Sequence, residues 1–175
     1  MHRIYHYSGD KREELFQYLT SLFGPVQKGP HGKPYFSGQE PPAVFFSLSH
    51  TQGCEVLCLS DNEIGVDCES TTARAGIGGR FLDIAGRWFT RDEQAFVKSG
   101  EVVDWSYYPG ATEAVQRFFF VWTRKEAYVK FTGNGFSEGF TGFSVFDLPG
   151  VEFTTGRLTD APFIIYSVCE GKGRN

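Results

Sequence analysis

A chain that carries F-F-F-V-W-T-R-K-E-A-Y-V-K-F at residues 118–131 has to build a core around that stretch. Eight of these fourteen residues are aromatic or valine, yet Lys125, Glu126 and Lys130 sit inside the run. Burying charge is costly unless it is paired or bound to a metal. On a helix Glu126 and Lys130 are four residues apart and share a face, with Trp122 one turn earlier. The charged stripe is therefore either a structural ion pair or one wall of a site.

At 175 residues the chain forms one compact unit, or two small halves sharing a core. Hydrophobic residues make up 41% and aromatics 17%, which is enough for a sizeable core. A net charge of −4 argues against nucleic-acid binding through a basic surface. Lys11-Arg12, Arg124-Lys125 and the tail Lys172–Arg174 are scattered and read as solvated. No apolar run approaches the roughly 20 residues of a membrane span. Cys54, Cys58, Cys68 and Cys169 form no C-x-x-C pair and have no histidine at zinc spacing. They read as buried free thiols. With no apolar leader in M-H-R-I-Y-H-Y-S-G-D, the expectation is a cytoplasmic protein.

The periodicity predicts a strand at Arg3–Tyr7 and a helix at Lys11–Phe23, stopped by Gly24-Pro25. Residues 24–42, rich in Gly and Pro, read as loop. Ala43–Leu48, Cys54–Leu59 and Ile64–Cys68 read as three strands of an antiparallel meander, the first ending at Ser49-His50. Arg80–Trp88 and Thr90–Lys98 read as helices, the second with a capping box of Thr90 and Glu93. After an irregular stretch over Ser99–Gly110, the long helix runs from about Thr112 to Phe131 and closes at Gly133-Asn134-Gly135. Phe140–Phe146, Val151–Arg157 and Phe163–Val168 read as strands. The order is α+β, and the division expected is an N-terminal half over 1–70 and a C-terminal half over 71–175.

Asp67 and Glu69, two apart at a strand end, project from one face. Such a pair is either solvated or gathers a cation, and Mg²⁺ suits oxygen-rich sites. With Glu126 it makes a plausible three-carboxylate metal site. Ser49-His50 is either a turn cap or a place where hydroxyl, imidazole and freed N–H groups meet a phosphate. His50 would poorly serve Ser49 as a base, since adjacent strand residues point to opposite faces. Lys33, in Gly32-Lys33-Pro34, is solvated or pairs with an anion.

Taken together, G-K-P (32–34), F-S-L-S-H-T (46–51), I-G-V-D-C-E (64–69) and W-T-R-K-E-A-Y-V-K (122–130) resemble the signature series of the 4′-phosphopantetheinyl transferase superfamily. The last two are the specific ones. R-F-L-D-I-A-G-R-W-F-T-R-D-E (80–93) and Gly133-Asn134-Gly135-Phe136-Ser137 are similar to the segments between and after them. The resemblance implies Mg²⁺-dependent transfer of the phosphopantetheine arm of coenzyme A to a serine of an apo acyl or peptidyl carrier protein, releasing 3′,5′-ADP. It implies that Asp67, Glu69 and Glu126 hold Mg²⁺, with Mn²⁺ as an alternative. Lys125 and Lys130 would neutralise the phosphates, with Lys130 aiding the leaving group. Ser49 and His50 would contact the nucleotide end of coenzyme A, with Lys33 nearby. Glu126, or a metal-held water, would take the serine proton.

G-K-P and S-H point to the surfactin-type branch, a single-chain pseudo-dimer of two similar α/β halves with coenzyme A between them, and hence to a monomer. The segment before G-K-P is only 31 residues, shorter than that branch usually has. Basic residues for the 3′-phosphate are therefore missing, unless Arg3, Lys11 or Arg12 replaces them. Two other readings stand beside the transferase: a non-catalytic binding module, and a different metal-dependent phosphotransferase or hydrolase.

Overall fold

A computed structural model describes residues 2–38, 43–72, 80–100, 112–135 and 139–172. It is α+β, with antiparallel sheets and one long helix. The first sheet has the order β1-β5-β4, from β1 (His2–Ser8), β4 (Phe45–Thr51) and β5 (Cys54–Ser60). The second has the order β6-β8-β7, from β6 (Ile64–Ser70), β7 (Val151–Arg157) and β8 (Ile164–Gly171).

The expected meander stops at its second strand. β4 pairs with β5, but β6 pairs with β8. Sheet membership therefore changes between β5 and β6. Alternation along β4 explains how the two sheets still meet. Ser47, Ser49 and Thr51 share one side of the strand. Their hydroxyls accept the N–H groups of Val66, Cys68 and Ser70 at 3.0, 3.2 and 3.0 Å. This ladder of side chains satisfies the edge that β6 presents to β4. Behind the seam, Val56 and Cys58 of one sheet pack with Val66, Cys68 and Val168 of the other. The four cysteines are free and buried.

α1 (Arg12–Phe23) covers the other face of the first sheet through Leu15 and Leu19, which meet Phe46 and Leu57. Its end is marked by Gly24 at φ +96°, where a side chain would be strained. Residues 24–42, expected as loop, contain a short hairpin of β2 (Val26–Lys28) and β3 (Pro34–Phe36). Phe36 anchors it against Phe46, ring centroids 4.6 Å apart.

α2 (Arg80–Trp88), α3 (Arg91–Lys98) and α4 (Glu113–Thr132) form the helical layer. Phe118 of α4 stacks between Phe89 and Trp122, at 5.2 and 5.9 Å. The capping box is present, with the Glu93 carboxylate accepting the Thr90 N–H at 2.8 Å. α4 lies on β6 at Gly65, where a β-carbon would come within 2.1 Å of the Ala127 carbonyl oxygen. Glycine is what lets helix and strand approach this closely.

Phe140–Phe146 is not a strand. Phe140–Gly142 is a 3₁₀ turn, and the Phe140 and Phe143 carbonyls accept the Lys125 ammonium instead of a neighbouring strand. Phe136, Ser137, Arg174 and most of the Thr71–Gly79 and Ser99–Gly110 stretches lie outside the described residues. No helix among the described residues is long and apolar enough to cross a membrane.

Candidate active site

The C-terminal turns of α4 face β4, α1 and the β2–β3 hairpin across a cleft of about 460 Å³, a volume typical of small-molecule sites. Phe16, Leu48 and Val129 give it apolar walls. Glu126 and Lys130 line it from the helix; Arg12, Lys28, His31, Lys33 and His50 line it from the first sheet and its attachments. The i, i+4 spacing puts Glu126 and Lys130 on this one stripe. On β4 the same alternation that sends Ser49 to the seam sends His50 to the cleft.

Asp67 sits on β6 beneath Lys130 and is 6% exposed. Its Oδ1 accepts the Ser49 hydroxyl and the Lys130 ammonium, both at 2.8 Å. Its Oδ2 is buried with no hydrogen-bond partner. Glu69 lines a second cavity beside the cleft, with His50, Glu55 and Asp10. Of the three carboxylates named from sequence, Glu126 lines the cleft, Glu69 lines the second cavity, and Asp67 lines neither, lying against Lys130. Among the described residues, no three His, Cys, Asp or Glu side chains gather into a metal-binding group.

Three of the residues named from sequence already have partners within the fold. Lys125 does not reach the cleft, because its side chain is 0% exposed and pairs with Glu93 at 2.9 Å. The Phe140 and Phe143 carbonyls take its remaining donors at 2.5 and 2.7 Å, so all three N–H groups of the ammonium are matched. Burial holds its pKa below the usual lysine value, and Glu93 opposes that shift. Ser49 is buried, its hydroxyl committed to Asp67 and the Cys68 N–H rather than to a nucleotide. Lys33 is at the cleft wall, but its ammonium bonds Glu63 and the Phe131 carbonyl, fastening the hairpin to the end of α4.

Further basic groups line the cleft. Arg12 lines the cleft next to His50, its NH2 nitrogen 2.9 Å from Nδ1. Lys11 instead pairs with Glu14 at 2.8 Å, and Arg3 does not line the cleft. Lys28 and His31, from Q-K-G-P-H-G-K-P, went unnoticed in the sequence. The visible signal was the density of basic groups in that Gly- and Pro-rich segment.

An α+β fold with a cleft lined by basic groups, an acid and a lysine on one helix stripe, and a buried aspartate beneath them has the geometry suited to an anionic ligand. The model of the 4′-phosphopantetheinyl transferase superfamily matches residues 63–174. The chain is 32% identical over 114 residues to the 4′-phosphopantetheinyl transferase psf-1 of Bacillus pumilus, covering 65% of this chain and 42% of that protein. It is 29% identical over 116 residues to the 4′-phosphopantetheinyl transferase Sfp of Bacillus subtilis (66% of this chain, 44% of Sfp). It is 34% identical over 121 residues to the 4′-phosphopantetheinyl transferase AcpT of Escherichia coli O157:H7 (68% of this chain, 54% of AcpT). The chain spans about half the length of these relatives, or less. It belongs to the 4′-phosphopantetheinyl transferase superfamily, and the psf-1 and Sfp matches support the Sfp-type branch.

Proposed function

We propose that this chain transfers the 4′-phosphopantetheine arm of coenzyme A to a serine of an apo acyl or peptidyl carrier protein, releasing 3′,5′-ADP. It would act as a monomeric, cytoplasmic enzyme of the holo-acyl-carrier-protein synthase type. The observation that carries the reading is the cleft itself. It sets Arg12, Lys28, His31, His50 and Lys130 around one volume, a field suited to a polyanionic nucleotide.

The buried, unpartnered Oδ2 of Asp67 fits a hard cation, which takes oxygen ligands and needs few carboxylates if it is Mg²⁺. Asp67, with Glu126 and Glu69, would hold Mg²⁺ or Mn²⁺. When bound, such a cation neutralises pyrophosphate charge and polarises the phosphoryl oxygens. Lys130, already at Asp67, offsets the charge that grows on the departing 3′,5′-ADP. Glu126 accepts the proton of the carrier serine as its Oγ bonds the pantetheine-side phosphorus and the P–O bond to ADP breaks. Arg12, Lys28 and His50 fix the phosphates at the nucleotide end. Ser49 acts behind the site by orienting Asp67.

Incubating the chain with Mg²⁺, coenzyme A and a panel of apo carriers should add the phosphopantetheine mass to a carrier serine. Measurable coenzyme A binding with no addition to any carrier would overturn the transfer reading. The Lys130–Asp67 pair, which already occupies one carboxylate oxygen, favours a second reading: a non-catalytic module that has lost coenzyme A binding and serves a protein contact. Calorimetry separates the two, because micromolar coenzyme A binding that requires Mg²⁺ excludes the second.

A further inference from the structure

Glu55 has no part in the chemistry above, yet it is a buried charge beside the cleft. It lies on β5 directly opposite His50 in the antiparallel register. It is 2% exposed, and its Oε2 has no hydrogen-bond partner. A carboxylate in that state needs a compensating charge. The Arg12 guanidinium supplies one, with its NH2 nitrogen 3.7 Å from Oε2. The same nitrogen lies 2.9 Å from His50 Nδ1. Arginine only donates, so Nδ1 accepts, and the ring's own proton sits on Nε2. Glu55 lines the second cavity, Arg12 the cleft and His50 both, so the carboxylate stands behind the pair as seen from the cleft.

We infer that Glu55 is a positioning residue: through Arg12 it holds His50 in the Nε2–H tautomer, giving the cleft an imidazole donor beside a guanidinium. Together they suit a phosphate oxygen of a nucleotide ligand, with one donor directional and the other charged. Burial pushes the Glu55 carboxyl up, and the Arg12 guanidinium opposes that rise. The inference rests on the transferase reading for the identity of the ligand. The tautomer is a property of the chain alone.

Nitrogen-15 NMR of the whole chain reads the His50 tautomer directly. The wild type should show a protonated Nε2, and Glu55→Gln and Arg12→Met should each mix the tautomers. A wild type that already populates both, or variants with unchanged shifts, overturns the inference. In calorimetry with coenzyme A, Glu55→Gln should weaken binding about tenfold, and Glu55→Asp should recover part of it. In the carrier assay the KM for coenzyme A should rise while kcat stays within about twofold. Repeating the titration with dephospho-coenzyme A tells which phosphate the pair holds. Equal affinity of wild type and Glu55→Gln for coenzyme A overturns the role of Glu55 alone. A wild type that binds no coenzyme A removes the transferase reading and leaves the tautomer result standing. If Glu55→Gln fails to fold, Glu55→Val/Arg12→Met leaves neither charge unpaired and carries the tautomer measurement, where an unmixed Nε2–H spectrum overturns the inference.

Discussion

Lys125 and Lys130 lie five residues apart on α4, and each meets a carboxylate from another element. Lys125 reaches Glu93 of α3 with both side chains 0% exposed. Lys130 reaches Asp67 of β6 with 30% of its own side chain exposed and 9% of its partner's. The first pair has every donor of its ammonium matched by protein oxygen. The second leaves one buried carboxylate oxygen without a partner and stands open to the cleft. The same two residue types on one helix thus make a structural bond at one position and a candidate working site at the other. What separates them is whether solvent and ligand can reach the charge.

Removing Lys125 should therefore have the largest effect on stability. Lys125→Met strands the Glu93 carboxylate in the interior, a loss of about 3–5 kcal/mol by the usual cost of breaking a buried pair. Urea unfolding measures it. Adding Glu93→Gln should recover part of the loss, since the amide can still accept the Thr90 N–H that opens α3. A Lys125→Met chain as stable as the wild type would mean that the two pairs are not different in kind.

The next effect comes from the strand beneath the helix. Gly65→Ala would place a β-carbon 2.1 Å from the Ala127 oxygen and 2.4 Å from the Phe131 nitrogen. Both are backbone atoms of α4, so the helix has to lift. The expected loss is about 3 kcal/mol, the upper end of ordinary overpacking. It should fall on the Lys130 side, because Phe131 is the next residue. An unchanged melting temperature would show that α4 slides over β6 freely and that the cleft wall is not set by this contact.

Lys130→Met should cost less stability and far more activity. The partly exposed position limits the fold's loss to about 1 kcal/mol, most of it from Asp67 left with Ser49 alone. Transfer to a carrier protein should fall by about 10²–10³, the usual effect of removing one donor from developing charge. If activity survives while stability drops as in Lys125→Met, Lys130 is a second structural lysine.

The contrast between the two lysines was partly legible in the sequence. At 3.6 residues per turn, Lys125 is about 140° around the helix from Lys130, while Glu126 and Lys130 nearly coincide. Periodicity alone could have removed Lys125 from the phosphate-binding set. It could not have named Glu93, whose capping role was visible but whose second role needs α3 folded onto α4. Strong local signals came through: α2, α4 and β7 lie where their caps, glycines and alternation put them. Pairings decided at a distance did not. Ile64–Cys68 looked like a third meander strand because a short turn precedes it, yet its partner is β8, about a hundred residues on. The Ser47, Ser49 and Thr51 ladder was written in β4 but means nothing until β6 lies beside it. Phe140–Phe146 has the composition of a strand, and only the Lys125 ammonium explains why its carbonyls turn inward. In the site, motif order led to Glu126, His50 and Asp67. Lys28 and His31 belong to no motif, and Arg12 could not be placed until α1 packed beside β4.

The smallest expected effect is a change of slope with pH, and it reports burial of Lys125 directly. Burial holds its folded pKa below the usual value near 10.5. Between those two values the unfolded chain binds the proton and the folded chain does not, so this group makes stability rise with pH. The buried thiols work in the opposite direction. Cys58 and Cys169 are pushed up to about 12 from an ordinary 9.0 by burial. Above about pH 9 the unfolded chain loses those protons first, and stability falls. The wild-type alkaline profile is then a thiol-driven decline that Lys125 partly offsets. In Glu93→Gln/Lys125→Met the offset is gone, so its urea midpoint should fall more steeply than the wild type's from about pH 9 upward. Parallel profiles would place the Lys125 ammonium in water and erase the difference between the two lysines.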